Sequence, residues 1–149
     1  METPKVETDV TLRLERQIAA PPERVFAAWT QAEGLTRWFG PTQEHSVRVH
    51  ELDVRVGGRY RLEMLHSSGR SSVVFGTYQE ITPPRRLVFT WMWENENLKA
   101  ETLVTVLVEP EGKGSRLVVL HERFSNTEER EKHNQGWTGC LDRLEASVR

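Results

Sequence analysis

One long amphipathic helix, at the end of this chain, has to cover the apolar side of nearly every strand that precedes it. Asn126-Thr127-Glu128-Glu129 reads as an N-cap followed three residues later by a capping-box glutamate. Beyond it His133, Trp137, Cys140, Leu141, Leu144 and Val148 follow i, i+3, i+4, i+7 spacing, and Glu131, Lys132, Arg143 and Glu145 fill much of the other side. The spacing predicts a helix from Thr127 to Val148, ~20 residues and roughly 30 Å long.

The rest of the chain reads mostly in period two. Val10, Leu12, Leu14 and Ile18 alternate with Thr11, Arg13, Glu15 and Gln17, which predicts a half-buried strand with Arg16 on its apolar side. Pro21-Pro22-Glu23 then suits a helix start, with Val25, Phe26 and Trp29 on one face. Gly34 is expected to interrupt that helix before Leu35, Trp38 and Phe39 repeat the spacing up to Gly40-Pro41. From about Ser46 the pattern turns to strands divided by Gly57-Gly58, Ser67-Ser68-Gly69-Arg70, Pro83-Pro84, a polar loop at Glu94 to Lys99, and Glu111-Gly112-Lys113-Gly114. Tyr60, Leu62 and Met64 share one apolar parity, and Leu87, Phe89, Trp91 and Trp93 another. Leu103 to Val108 and Leu117 to Leu120 are apolar on both parities, so these strands are buried on both faces or meet a partner chain, and a homodimer is one arrangement that fits.

Strands run together between helices at the ends, which is the α+β class with an antiparallel sheet of about six to seven strands. Only a strongly curved sheet can wrap a single helix, with two short helices after the first strand closing the space between them. A concave apolar cavity follows, the usual form of a small-molecule site. A chain of 149 residues fits one domain, from residue 10 to 149 after a polar tail at 1–9. A domain of this size buries roughly 70% of its unfolded surface without help from metals or disulfides.

The single cysteine, Cys140, excludes an intramolecular bridge, and the five histidines form no metal-ligand spacing. No cofactor motif stands out, and Gly57-Gly58 precedes a strand, so it is no phosphate loop. Residues 1–10 lack a signal-peptide core and no apolar run approaches the ~18 residues of a membrane span, so a cytoplasmic protein is expected. The net charge is −2 with both signs interspersed, which argues against nucleic acid as a partner.

Five segments in order resemble the activator of heat-shock protein 90 ATPase homologue-like family. They are Ala20 to Phe26, Trp38-Phe39-Gly40-Pro41, Asp53 to Tyr60, Ile81 to Trp91, and Gly136 to Leu144. The resemblance covers nearly the whole chain from about residue 10 and implies the SRPBCC, START-like helix-grip fold, with the same strand and helix order read above. It implies a deep apolar pocket, used across that superfamily for lipids, polyketides, hormones and similar ligands. The eukaryotic co-chaperone of the family carries a separate N-terminal domain for much of its chaperone binding, and this chain is too short to hold one.

The expected pocket residues are Trp29, Trp38, Tyr60, Leu62, Met64, Phe75, Phe89, Trp91, His121, Trp137, Cys140 and Leu144. His121 shares a parity with Leu117 and Val119, so it is a candidate acid or base, although a hydrogen-bonded structural histidine is the alternative. Glu51 and Asp53 share a parity with Val47 and Val49. If they point inward they form, with Arg16, a buried charge cluster; otherwise these groups make ion pairs near the sheet edge, or a bulge turns them outward. Cys140 reads as a small core residue.

Three functions follow, in this order. The first is a non-catalytic protein that binds an apolar small molecule. The second is an enzyme of cyclase, dehydratase or hydrolase type, which needs an inward pair such as His121 with Asp53 or Glu51. The third, not favoured, is a chaperone-binding module that stimulates an ATPase.

Overall fold

The computed structural model describes residues 11–94 and 101–149. Val10, the tail at 1–9 and the loop expected after Glu94 lie outside those residues. The elements are β1 (Leu12–Ile18), α1 (Pro22–Thr30), α2 (Ala32–Trp38), β2 (His45–Leu52), β3 (Arg59–His66), β4 (Ser71–Thr82), β5 (Arg86–Trp93), β6 (Thr102–Glu111), β7 (Gly114–Glu122) and α3 (Thr127–Val148).

The strands form one antiparallel sheet in the order β1-β7-β6-β5-β4-β3-β2. Strands β2 to β7 are a simple meander, and β1 adds to its far edge with Leu12 opposite His121 and Ile18 opposite Ser115. The sheet curls as a half-barrel around α3, the helix-grip arrangement. The long helix has the limits that its periodicity predicts, and the Asn126 side chain accepts from Glu129 N at 2.8 Å. Its buried residues, Trp137, Cys140, Leu141, Leu144 and Val148, meet the inner parities of the strands in one core. None of the helices described is long and apolar enough to cross a membrane.

The short helices break at Gln31, where ψ is 140°, and not at Gly34. Gly34 lies inside α2, and a Cβ there would come within 2.9 Å of Ala28 Cα. Its missing side chain lets α2 fold back against α1, which a reading of glycine as a helix breaker does not foresee.

Strand β2 carries a second difference. A register shift between Val49 and Glu51 adds one residue to that strand. A bulge reverses the alternation, so the inner face passes from Val47 and Val49 to Leu52 and Val54. Glu51 and Asp53 therefore face out. On the outer face of the sheet centre, Val88, Thr105 and Val118 are buried by the chain itself. On the same outer face Leu103, Leu107 and Leu120 are half-buried.

Candidate functional site

An open cleft lies between the first half of α3 and the sheet. It is a cleft of about 450 Å³ whose walls are Trp91 and Trp93 from β5, Met64 from β3, Phe39 and Pro41 after α2, and one stripe of α3. That stripe, Glu129, Lys132, His133, Gly136, Trp137 and Cys140, follows the i, i+3, i+4, i+7 pattern of a single helix face. Gly136 has nothing within 4 Å of where a Cβ would stand, so its bare backbone widens the cleft. One turn away, Gly139 does the opposite. A Cβ there would lie 2.1 Å from Pro41 O, so glycine lets the helix press on the loop that forms the cleft's far wall.

Arg143 secures the same loop. Its guanidinium donates to Gly40 O at 2.8 Å and to Thr42 O at 2.9 Å, while Gly40 N donates to Cys140 Sγ at 3.3 Å. Burial pushes the Cys140 thiol up to about 11, with the nearby Arg143 and the Gly40 N–H only partly opposing it. Such a thiol is a packing group.

The aromatic walls are held by hydrogen bonds behind them. His133 Nδ1 sits 2.8 Å from Glu129 O and its Nε2 accepts from Trp93 Nε1 at 3.0 Å. Deeper in, Trp137 Nε1 donates to His121 Nδ1 at 3.0 Å, and His121 Nε2 lies 2.8 Å from Thr102 Oγ1, which donates to Trp91 O at 3.0 Å. Since the Thr102 proton goes to Trp91, His121 must donate to Thr102 from Nε2 and accept at Nδ1. It is a neutral imidazole with both nitrogens in use. Burial, and secondarily the neighbouring His133, hold its pKa well below the usual value of 6.5.

Charges stand at the mouth. Arg70 and Lys132 line it on the sheet and helix sides, with Glu129 half-buried nearby. Among the described residues, neither Arg70 nor Lys132 has an ion-pair partner. An adjoining recess of about 340 Å³ shares Pro41, Met64, Arg70 and Ser72 with the cleft and extends it toward His45 and His66.

A model of the family described as activator of Hsp90 ATPase homologue 1-like protein matches residues 19–149. The chain belongs to that family. Among solved members and relatives, a crystal structure of a Chromobacterium violaceum protein is 32% identical, covering 93% of this chain and 96% of its own, with a TM-score of 0.86. The Silicibacter pomeroyi AHSA1 protein is 33% identical over 93% of this chain and 96% of its own, with a TM-score of 0.83. The AHSA1-like protein of Aeromonas hydrophila, 23% identical with a TM-score of 0.77, shares the fold over 93% of this chain and 91% of its own. No curated protein matches the chain.

Within this AHSA1-like fold the expected pocket residues divide into groups. Met64, Trp91, Trp137 and Cys140 line the cleft. Trp29, Tyr60, Leu62 and Phe89 surround a separate inner recess. Trp38 and Leu144 are fully buried in the core, and Trp38 Nε1 donates to Ala28 O at 2.9 Å. Phe75 is a correction. It pairs across strands with Arg61 and Met92 on the outer parity, while Val74 and Tyr78 take the inner one.

The pairing of His121 with Asp53 or Glu51 is a second correction. Four strands separate β7 from β2, His121 is fully buried, and Glu51 and Asp53 sit at the surface beside Arg59 and Arg55. Arg16 does face the helix, where it bonds Asp142 at 2.7 Å with Glu145 at 3.7 Å, so its charge is a clasp between β1 and α3. The segment Gly136-Trp137-Thr138-Gly139-Cys140 contains three wall residues, Gly136, Trp137 and Cys140, while Phe39, Pro41, Arg70, Ser72, Trp93, Glu129, Lys132, His133 and Gly136 line the cleft outside the expected set. The α3 stripe was open to a count of i+3 and i+4 steps from Trp137. Arg70 follows a turn glycine, and nothing in its sequence neighbourhood points inward.

Proposed function

We propose that the cleft between β5 and α3 binds an amphipathic small molecule, its apolar body among Trp91, Trp93, Trp137 and Met64 and an anionic group near Arg70 and Lys132. The observation that carries this reading is the cleft itself. A long helix resting on a sheet normally packs its whole inner face, whereas here Trp137 and His133 meet the aromatic wall and about 450 Å³ stays open beside them. That volume falls in the range of small-molecule pockets, and an apolar lining with a few charges at one end suits an amphipath. Two unpaired cations against one carboxylate favour a negative head group.

The reading is non-catalytic. Both His121 nitrogens are in use and, among the described residues, no carboxylate pairs with it, and the Cys140 thiol is held protonated by burial, so neither is a ready acid, base or nucleophile. The test is a fluorescence titration with N-phenyl-1-naphthylamine, with backbone amide shifts recorded in parallel. Saturable one-to-one binding that moves the amides of Trp91, Trp93, Gly136 and Cys140 supports it. Absence of saturable binding, or shifts confined to the outer face of the sheet, rejects it.

A further inference from the structure

Three of the five indole N–H groups have an acceptor inside the chain: Trp38 on Ala28 O, Trp93 on His133 and Trp137 on His121. The other two do not. Trp29 Nε1 and Trp91 Nε1 are buried and have no hydrogen-bond acceptor among the described residues. Both side chains are far inside, at 3% and 6% exposure, where a donor left unpaired is unfavourable and uncommon. Both also line the same inner recess, with Tyr60, Leu62 and Phe89 among its other walls. Tyr60 brings no free donor there, because its hydroxyl is committed to Thr90 O at 2.5 Å.

The recess measures about 20 Å³. That is too small for any ring, yet it exceeds the roughly 10–15 Å³ that one water-sized group requires. Phe39 and Trp91 belong to its wall and to that of the large cleft, so the two spaces meet across these side chains. Of the two unpaired donors, Trp91 belongs to a residue that also lines the cleft, and Trp29 to one that lines the recess alone.

We infer that the molecule bound in the cleft carries a hydrogen-bond acceptor oxygen of carbonyl type on its apolar body, which accepts from the Trp91 indole N–H at the inner recess. This rests on the ligand-binding reading above and adds to it the chemistry that the inner wall selects. A pure hydrocarbon would leave the indole unpaired and drier than before. A hydroxyl would have to direct its own proton toward an aromatic wall, whereas a ketone, ester or amide oxygen presents only lone pairs.

The matched probes are 2-acetonaphthone and 2-isopropenylnaphthalene, which have nearly the same shape and differ in C=O against C=CH₂. Each is titrated into the full chain while the five indole N–H resonances and the backbone amides are followed. The ketone is expected to bind about tenfold tighter and to move the Trp91 indole proton downfield; in Trp91→Phe the two probes bind alike. If Trp91→Phe does not fold, the wild-type affinity ratio and the indole shift decide the matter. Equal wild-type affinities with cleft amides shifting and the Trp91 indole unmoved overturn the inference and leave the binding reading intact. Binding of neither probe, nor of N-phenyl-1-naphthylamine, removes both.

Discussion

Trp137 Nε1 donates to His121 Nδ1 across 3.0 Å, and this bond decides the charge state of the most deeply buried histidine in the fold. A proton added at Nδ1 would face the indole N–H head on. The ring is therefore neutral, and its bonds run in one direction from α3 through β7 and β6 to the Trp91 carbonyl on β5. They fix the Trp137 indole and the Trp91 backbone, and the two rings pack together in the cleft wall with centroids 5.2 Å apart.

Acid should loosen that arrangement. The folded pKa of His121 is depressed well below 6.5, so the unfolded chain binds the proton more readily than the folded one. The stability this group contributes is complete above about pH 6.5 and declines as pH falls below it, by up to about 1.4 kcal/mol per unit until the folded pKa is reached. Urea midpoints measured from pH 8 to 5 are expected to show this slope. The variant His121→Leu removes it, and costs about 1–3 kcal/mol at pH 8 by leaving the Trp137 N–H buried without a partner. An equally steep slope in His121→Leu would assign it to other groups.

The two glycines of the C-terminal helix should respond in opposite directions. Gly136→Ala meets open space and gains helix propensity, so it is expected to stabilise by about 0.5–1 kcal/mol. Gly139→Ala forces a Cβ onto Pro41 O and is expected to destabilise by about 1–3 kcal/mol despite the same gain in propensity. Thermal unfolding of the pair checks both signs, and like signs would contradict the packing described.

Arg143 is expected to matter through the loop it holds. In Arg143→Met the Gly40 and Thr42 carbonyls lose their charged donor, at a cost of about 1–2 kcal/mol. Because Phe39 and Pro41 form a cleft wall, probe affinity should fall several-fold along with stability. Full retention of probe affinity would show that the wall stands without the clasp.

Cys140 should be slow to react. With its thiol pushed up to about 11, the reactive thiolate is scarce at pH 8. Reaction with Ellman's reagent is expected to be roughly a hundredfold slower than that of a free thiol, and to keep accelerating as pH is raised. A fast reaction at pH 8 would mean that the helix opens at this point.

Much of this fold is legible in the residues themselves. The period-two runs, the turn residues between them and the capped helix from Thr127 to Val148 lead to a sheet gripping one helix, because no other element can cover those strands. What escaped was local. A bulge in β2 turns Glu51 and Asp53 outward, the alternative to a buried charge cluster, but periodicity alone does not place the inserted residue. Phe75 is an aromatic of the kind a pocket uses, yet its parity with Val73 and Thr77 turns it outward. Gly34 looked like a stop because an isolated glycine weakens a helix, whereas here its bare Cα is a contact surface. Of the cleft, the Trp91, Trp137 and Cys140 walls could be read from spacing. Arg70 could not, since a residue beside a surface turn enters a site only through the tertiary curl of the sheet.

The small molecule is proposed to sit in the space beside Gly136. The most direct measurement is a titration of 1-anilinonaphthalene-8-sulfonate into the wild-type chain and into Gly136→Leu. The substituted side chain enters open space, so the variant should fold with equal or higher melting temperature. Saturable binding to the wild type that vanishes in the folded variant is the expected result. Undiminished binding in a well-folded Gly136→Leu would contradict the account.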